Sequence, residues 1–214
     1  MSIRSTLIAS GFIAASLISG TAHAVLQGRD LSGSEGSFDA YYDTDLNITW
    51  LANVNAPMAW ADANTWAANL SITDGVNVYD NWRLPTTLQP DASCGDQYSG
   101  VSSGNNCIGS EMGHLFYAEL GGTAGQSILT NTGPFTNLQA GTYWSATEYA
   151  PNSNYLAWYF SFGYGYQWAD VKGGSFYALA VSPGDVAAVP EADTWAMLLV
   201  GLTLVGTATR RGRG

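Results

Sequence analysis

The sequence predicts an α+β fold: a twisted antiparallel sheet, two helices packed with it, and a separate hydrophobic helix at the C-terminus. Three observations predict it. The first is a densely aromatic, alternating stretch over residues 143–183. From Tyr143 to Tyr177 it holds 13 of the chain's 27 aromatic residues. The second is a pair of segments with helical spacing of apolar residues, Ala59–Leu70 and Ser110–Leu120. The third is the unbroken apolar run near the end of the chain.

Much of the aromatic stretch has period two. Leu156, Trp158, Phe160 and Phe162 share one parity, and Tyr164, Tyr166 and Trp168 continue it. Successive side chains of a strand point to opposite faces, so this is a strand pattern. Gly163-Tyr164-Gly165 interrupts it with residues that tolerate positive φ, which predicts a tight hairpin. A third run, Phe176 to Val181, is expected to return alongside. The expectation is a three- or four-stranded antiparallel sheet with one aromatic face.

Taken in order, residues 1–24 carry Arg4, an apolar run from Leu7 to Ile18 and the triplet Ala22-His23-Ala24. That is the layout of a secretory signal peptide cut by signal peptidase after Ala24. Residues 25–37 are a mature N-terminal segment. Residues 38–54 read as strands around a turn at Asp43-Thr44-Asp45. Asp39, Asp43 and Asp45 are close in sequence, and hard cations prefer several oxygens. The EF-hand glycine and distal glutamate are missing and Asp-rich turns are common, so calcium binding is left open and no metal ligand is assigned.

In Ala59–Leu70, apolar residues at 63, 66, 67 and 70 put Trp66 and Leu70 toward a core. Thr73-Asp74-Gly75 marks a turn, and residues 81–86 a short strand ending at Pro85. Arg83 is expected to pair with a carboxylate or carbonyl. In Ser110–Leu120, Ser110 can cap the first turn and Glu111 suits the helix dipole. Met112, Leu115, Phe116 and Leu120 make the buried stripe, and Gly121-Gly122 ends it. Glu111 and His114 have a metal-ligand spacing, but the second copy that bundle sites need is absent. His114 is therefore expected to be structural.

Charge and cysteines narrow the function. Residues 25–188 carry three basic side chains, Arg29, Arg83 and Lys172, against 15 carboxylates. Nucleic-acid binding needs clustered Lys and Arg and is excluded. Tight binding to an anionic membrane surface is disfavoured for the same reason. Cys94 and Cys107, the only two cysteines, read as one disulfide in an exported protein, closing a polar Gly/Ser-rich loop. No C-x-x-C pair supports a metal site on them.

Five short motifs occur in order: Trp82-Arg83-Leu84-Pro85-Thr86, residues 109–115 (GSEMGHL), Tyr143-Trp144-Ser145-Ala146-Thr147, Ala157-Trp158-Tyr159-Phe160 and Ala178-Leu179-Ala180-Val181. Together they resemble the bacterial domain family of the Lcl collagen-like adhesin C-terminal domain, over residues 38–186. The resemblance implies a C-type-lectin-like fold, with two helices, a twisted antiparallel sheet and long loops. Ser182 departs from it, since the family usually carries Arg there. Gln89-Pro90-Asp91 matches the sugar-specificity tripeptide of calcium-dependent lectins but lies in the wrong context and is discounted.

Residues 187–214 resemble the PEP-CTERM sorting signal handled by an exosortase-type processing enzyme. Pro190 and Glu191 are the motif, with Ala192 in place of the second proline. Trp195 to Ala208 is the apolar segment, and Arg210, Arg211 and Arg213 close it. The resemblance implies an inner-membrane stage followed by release to the cell surface or an exopolysaccharide matrix.

The function expected is that of an exported, non-enzymatic surface protein binding a glycan or other surface component. Tyr149 and Tyr155, flanking the loop 150–154, are the expected ligand contacts. No catalytic residue, metal or cofactor is assigned. The alternatives are a purely structural matrix protein and an enzyme of the formylglycine-generating-like superfamily. The second would need the reactive cysteines that the disulfide consumes.

Overall fold

Two hydrophobic clusters lie on opposite faces of one sheet, and the alternation of its strands decides which residue joins which. The structure, a computed structural model, describes residues 26–33 and 37–186. The expected signal segment with Ala24, the expected sorting residues Pro190 and Glu191, and the expected C-terminal hydrophobic helix lie outside the described residues. Among the described residues no helix is long and apolar enough to cross a membrane.

The strands are β1 (Leu26–Arg29), β2 (Ala40–Asp43), β3 (Ile48–Leu51), β4 (Asn55–Met58), β5 (Ile72–Thr73), β6 (Val78–Tyr79), β7 (Asp96–Tyr98), β8 (Val101–Asn105), β9 (Thr142–Glu148), β10 (Leu156–Ser161), β11 (Tyr166–Val171), β12 (Phe176–Ala178) and β13 (Val181–Pro183). The helices are α1 (Trp60–Ala68) and α2 (Glu111–His114), the latter running on into a π turn over Leu115–Glu119. The main sheet has seven strands in the order β4-β12-β9-β10-β11-β8-β7. A four-stranded sheet, β1-β2-β3-β13, joins the first described strand to the last, and β5-β6 is a small hairpin. The class is α+β, as expected.

The hairpin forms where the glycines predict it. β10 and β11 pair antiparallel from Leu156↔Val171 to Ser161↔Tyr166. Gly165 takes φ +62° in the turn, a conformation other residues avoid. The third run behaves differently from the expectation. β12 lies beside β9, not beside the hairpin, and pairs with it in parallel through Tyr177↔Tyr143. Two residues later the chain leaves that sheet, and Val181 pairs with Trp50 in the other one.

The single aromatic face is also corrected. Tyr143, Phe160 and Phe162 pack with Met112, Leu115, Phe116 and Leu120 in one cluster. Trp144 and Ala157 pack with Ala63 and Ala67 of α1 in the other. Leu179 and Val181 go to the first, Ala178 and Ala180 to the second. The aromatic run is split because α1 and α2 cover different faces. Trp66 and Leu70 lie against the second cluster, half-buried.

Two local expectations change. Residues 81–86 form no strand, only the isolated bridge Arg83↔Val181. Ser110 occupies the N-cap position of α2 without capping through its side chain. Its hydroxyl accepts instead from the Leu88 N–H, at 3.0 Å, and so ties the preceding loop to the helix. Gly113 is required on α2, because a Cβ there would fall 1.8 Å from the Cys107 carbonyl oxygen.

Candidate functional site

The face that α1 covers at β9 and β12 is left open further across the sheet. Register builds a row of polar side chains there. Thr142 on β9 stands opposite Ser161 on β10, Ser161 opposite Tyr166 on β11, and Tyr166 opposite Asn105 on β8. Directly opposed residues share a face. The next row on that face is Trp144, Tyr159 and Trp168. Trp144 is buried under α1, Tyr159 is half-buried, and Trp168 is 41% exposed. The gradient along this row is the edge of the covered region.

A cleft of about 450 Å³ opens at this edge, lined by Asn105, Gly125, Thr142, Tyr159, Ser161, Tyr164 and Tyr166. Tyr164, in the hairpin turn, is 66% exposed. None of the lining side chains carries a charge at neutral pH. Burial, with smaller contributions from Tyr166 and Asp170, raises the Tyr159 phenol above its ordinary value. It therefore keeps its proton and can donate. Hydroxyl and amide groups beside exposed aromatic faces suit a neutral, polyhydroxylated ring.

The cleft is held rigid from behind. The Tyr117 hydroxyl on the π turn donates to the Gly165 carbonyl and accepts from the Asn106 N–H. The Asn105 amide donates to the carbonyls of Tyr164 and Gly165, both at 3.0 Å. The Gly125 N–H donates to the Tyr164 carbonyl at 2.8 Å. A turn fixed at this many points loses little further entropy when a ligand arrives.

Asn105 is placed by the disulfide loop. Cys94 and Cys107 are bonded, with Cα atoms 4.1 Å apart. At the base of the loop, Asp91 accepts from the N–H and hydroxyl of Ser93 and from the Gly109 N–H. Gln89 exchanges two hydrogen bonds with the Ser102 backbone. The Gln89 and Asp91 side chains are therefore engaged within this segment and the loop it flanks.

Tyr149 and Tyr155 lie at the other end of β10 from this cleft. Ser161 closes the strand beside the hairpin, and Tyr155 precedes it. Tyr155 is 70% exposed. Tyr149 is half-buried and meets the Trp158 ring edge-on at 5.3 Å. The cleft residues were missed because their proximity depends on the register of four strands. The one available signal was the shared parity of Tyr164, Tyr166 and Trp168.

The three early aspartates do not converge. Asp39 accepts from the N–H groups of Leu31 and Ser32, both at 2.9 Å. Asp43 accepts from the N–H groups of Asp45 and Leu46 and from the Trp50 indole. Asp45 is exposed. Glu111 and His114 also separate: Glu111 turns to Arg83, while the His114 Nε2 lies 3.3 Å from Glu119 Oε1. No protein-family model matches the chain, and no curated protein matches it.

Proposed function

We propose that the protein is an exported, non-enzymatic surface or matrix protein whose C-type-lectin-like domain binds a neutral glycan in the cleft between β8 and β10. The uncharged row Thr142–Ser161–Tyr166–Asn105, flanked by the exposed Tyr164 ring, carries this reading. Two helices on opposite faces of a largely antiparallel sheet, with long loops among the short elements between α1 and β9, support the lectin-like assignment. The disulfide supports an oxidising compartment.

Export rests on the sequence ends. Signal peptidase cuts after Ala24, the C-terminal segment holds the protein transiently at the inner membrane, and an exosortase-type enzyme cuts near Pro190–Glu191. The experiment is a glycan array probed with protein recovered from the cell surface, with its termini read by mass spectrometry. Binding to neutral oligosaccharides by a chain ending near Glu191 is the expected result. Signals confined to anionic glycans count against the cleft. Intact Arg213 on surface protein counts against the processing.

A further inference from the structure

The sides of the π turn face different neighbours, and only one serves the cleft. Leu115–Glu119 follows α2 with a wider hydrogen-bond spacing, as the Leu120 N–H donating to the Leu115 carbonyl at 3.0 Å shows. In a regular α-helix, residues 114 and 119 would point about 140° apart. The wider turn brings His114 and Glu119 together, with Nε2 and Oε1 3.3 Å apart. π turns of this kind are frequent at functional sites.

The third member comes from the small sheet. Asp43 closes β2 and is fully buried. One ligand atom from each of Asp43, His114 and Glu119 fits within a group whose members all lie within 4.8 Å of one another. The Glu119 side chain is 1% exposed and that of His114 16%, so the group is enclosed but open on the histidine side.

No lysine or arginine among the described residues pairs with this group, whose one basic member is His114. Arg29 is paired with Asp185, Arg83 with Glu111 and Lys172 with Glu148. These are all the lysines and arginines among the described residues. Although close, His114 Nε2 and Glu119 Oε1 make no hydrogen bond to each other or to any other group. Two buried polar atoms without a hydrogen-bond partner thus lie side by side. Their separation is close to that of two ligands each about 2.1 Å from one tetrahedral metal ion.

We propose that Asp43, His114 and Glu119 bind one divalent cation of the zinc–manganese class. Two carboxylates neutralise its charge, and the imidazole favours it over calcium or magnesium. The Trp50 indole, donating to Asp43 Oδ2 at 3.2 Å, orients that carboxylate, and Oδ2 retains a lone pair for the metal. The cation would fasten the β2–β3 turn to the π turn.

The test uses the full chain stripped with chelator and titrated with Zn²⁺ or Mn²⁺ alone by calorimetry, with melting followed in parallel. One saturable site per chain and a raised Tm are expected. Glu119→Gln should weaken uptake at least ~10-fold, the loss that even outer partners of a metal ligand cause. It should also abolish the metal-dependent rise in Tm, yet melt no lower than wild type in chelator, because it removes a buried charge. A fold-independent check is the His114 imidazole NMR signal of the wild type, which Mn²⁺ should broaden first. Absence of saturable uptake of either cation, uptake unchanged in Glu119→Gln, or an unbroadened His114 signal would each overturn the proposal.

Discussion

Arg83 and Glu111 meet at two points, Nη1 to Oε2 at 2.8 Å and Nη2 to Oε1 at 2.6 Å. The same carboxylate accepts from the Thr86 N–H at 2.6 Å. One acidic side chain in the first turn of α2 therefore holds the strandless segment 83–86, which carries a single sheet bridge. Forked pairing of this sort is geometrically specific to arginine. Arg83→Lys should lose most of what Arg83→Ala loses, about 1–2 kcal/mol after allowance for partial exposure. Urea denaturation measures it. A lysine variant as stable as wild type would show that charge alone suffices.

The disulfide positions β8, and β8 supplies Asn105. In the chain-entropy model, closing a loop of this size is worth about 3 kcal/mol. Cys94→Ser with Cys107→Ser should lower stability by that order and weaken glycan binding as well. Both cysteines should resist alkylation until reductant is added. Ready alkylation of untreated protein would contradict the bond.

Tyr149 and Tyr155 should separate on truncation. Tyr155 is largely exposed, and Tyr155→Ala should change stability by no more than about 0.5 kcal/mol. Tyr149 packs on Trp158, and Tyr149→Ala should cost about 1–2 kcal/mol. Equal costs would mean that the ring contact contributes nothing.

Asp74 makes the β5–β6 turn sensitive to acid. Its carboxylate accepts from the N–H and side-chain amide of Asn77, from the Val76 N–H and from the Tyr79 hydroxyl. The Asn77 backbone bond leads these in lowering its pKa from 3.8 to about 2. A depressed folded value stabilises the charged form. The contribution is whole above pH 3.8 and disappears as the pH falls through about 2. An NMR titration of the Asp74 carboxyl should give that low midpoint, and the Val76 and Asn77 amide signals should move with it. A midpoint near 3.8 would remove the acid dependence.

Much of the framework was legible because its signals are local. The stripe of Met112, Leu115, Phe116 and Leu120 is a helical period, and all four are buried. Gly163 and Gly165 bracketed the hairpin, and Arg83 found the carboxylate expected of it. Strand partners were not legible, since parity says which face a residue takes but not which strand lies beside it. Hence β12 was placed by the hairpin rather than against β9. Glu119 went unnoticed beside His114 because a π turn changes which residues share a face. The cleft draws on Asn105, Thr142, Ser161 and Tyr166, which only register brings together.

The most direct measurement is the affinity of a neutral oligosaccharide, taken from the array, for wild type, Tyr166→Ala and Tyr155→Ala under matched stability. If the cleft is the site, Tyr166→Ala weakens binding by about 10-fold, the ~1.4 kcal/mol of one lost stacking contact, and Tyr155→Ala binds as wild type does. Wild-type affinity in Tyr166→Ala, together with a loss in Tyr155→Ala, would contradict the account and move the site to the far end of β10.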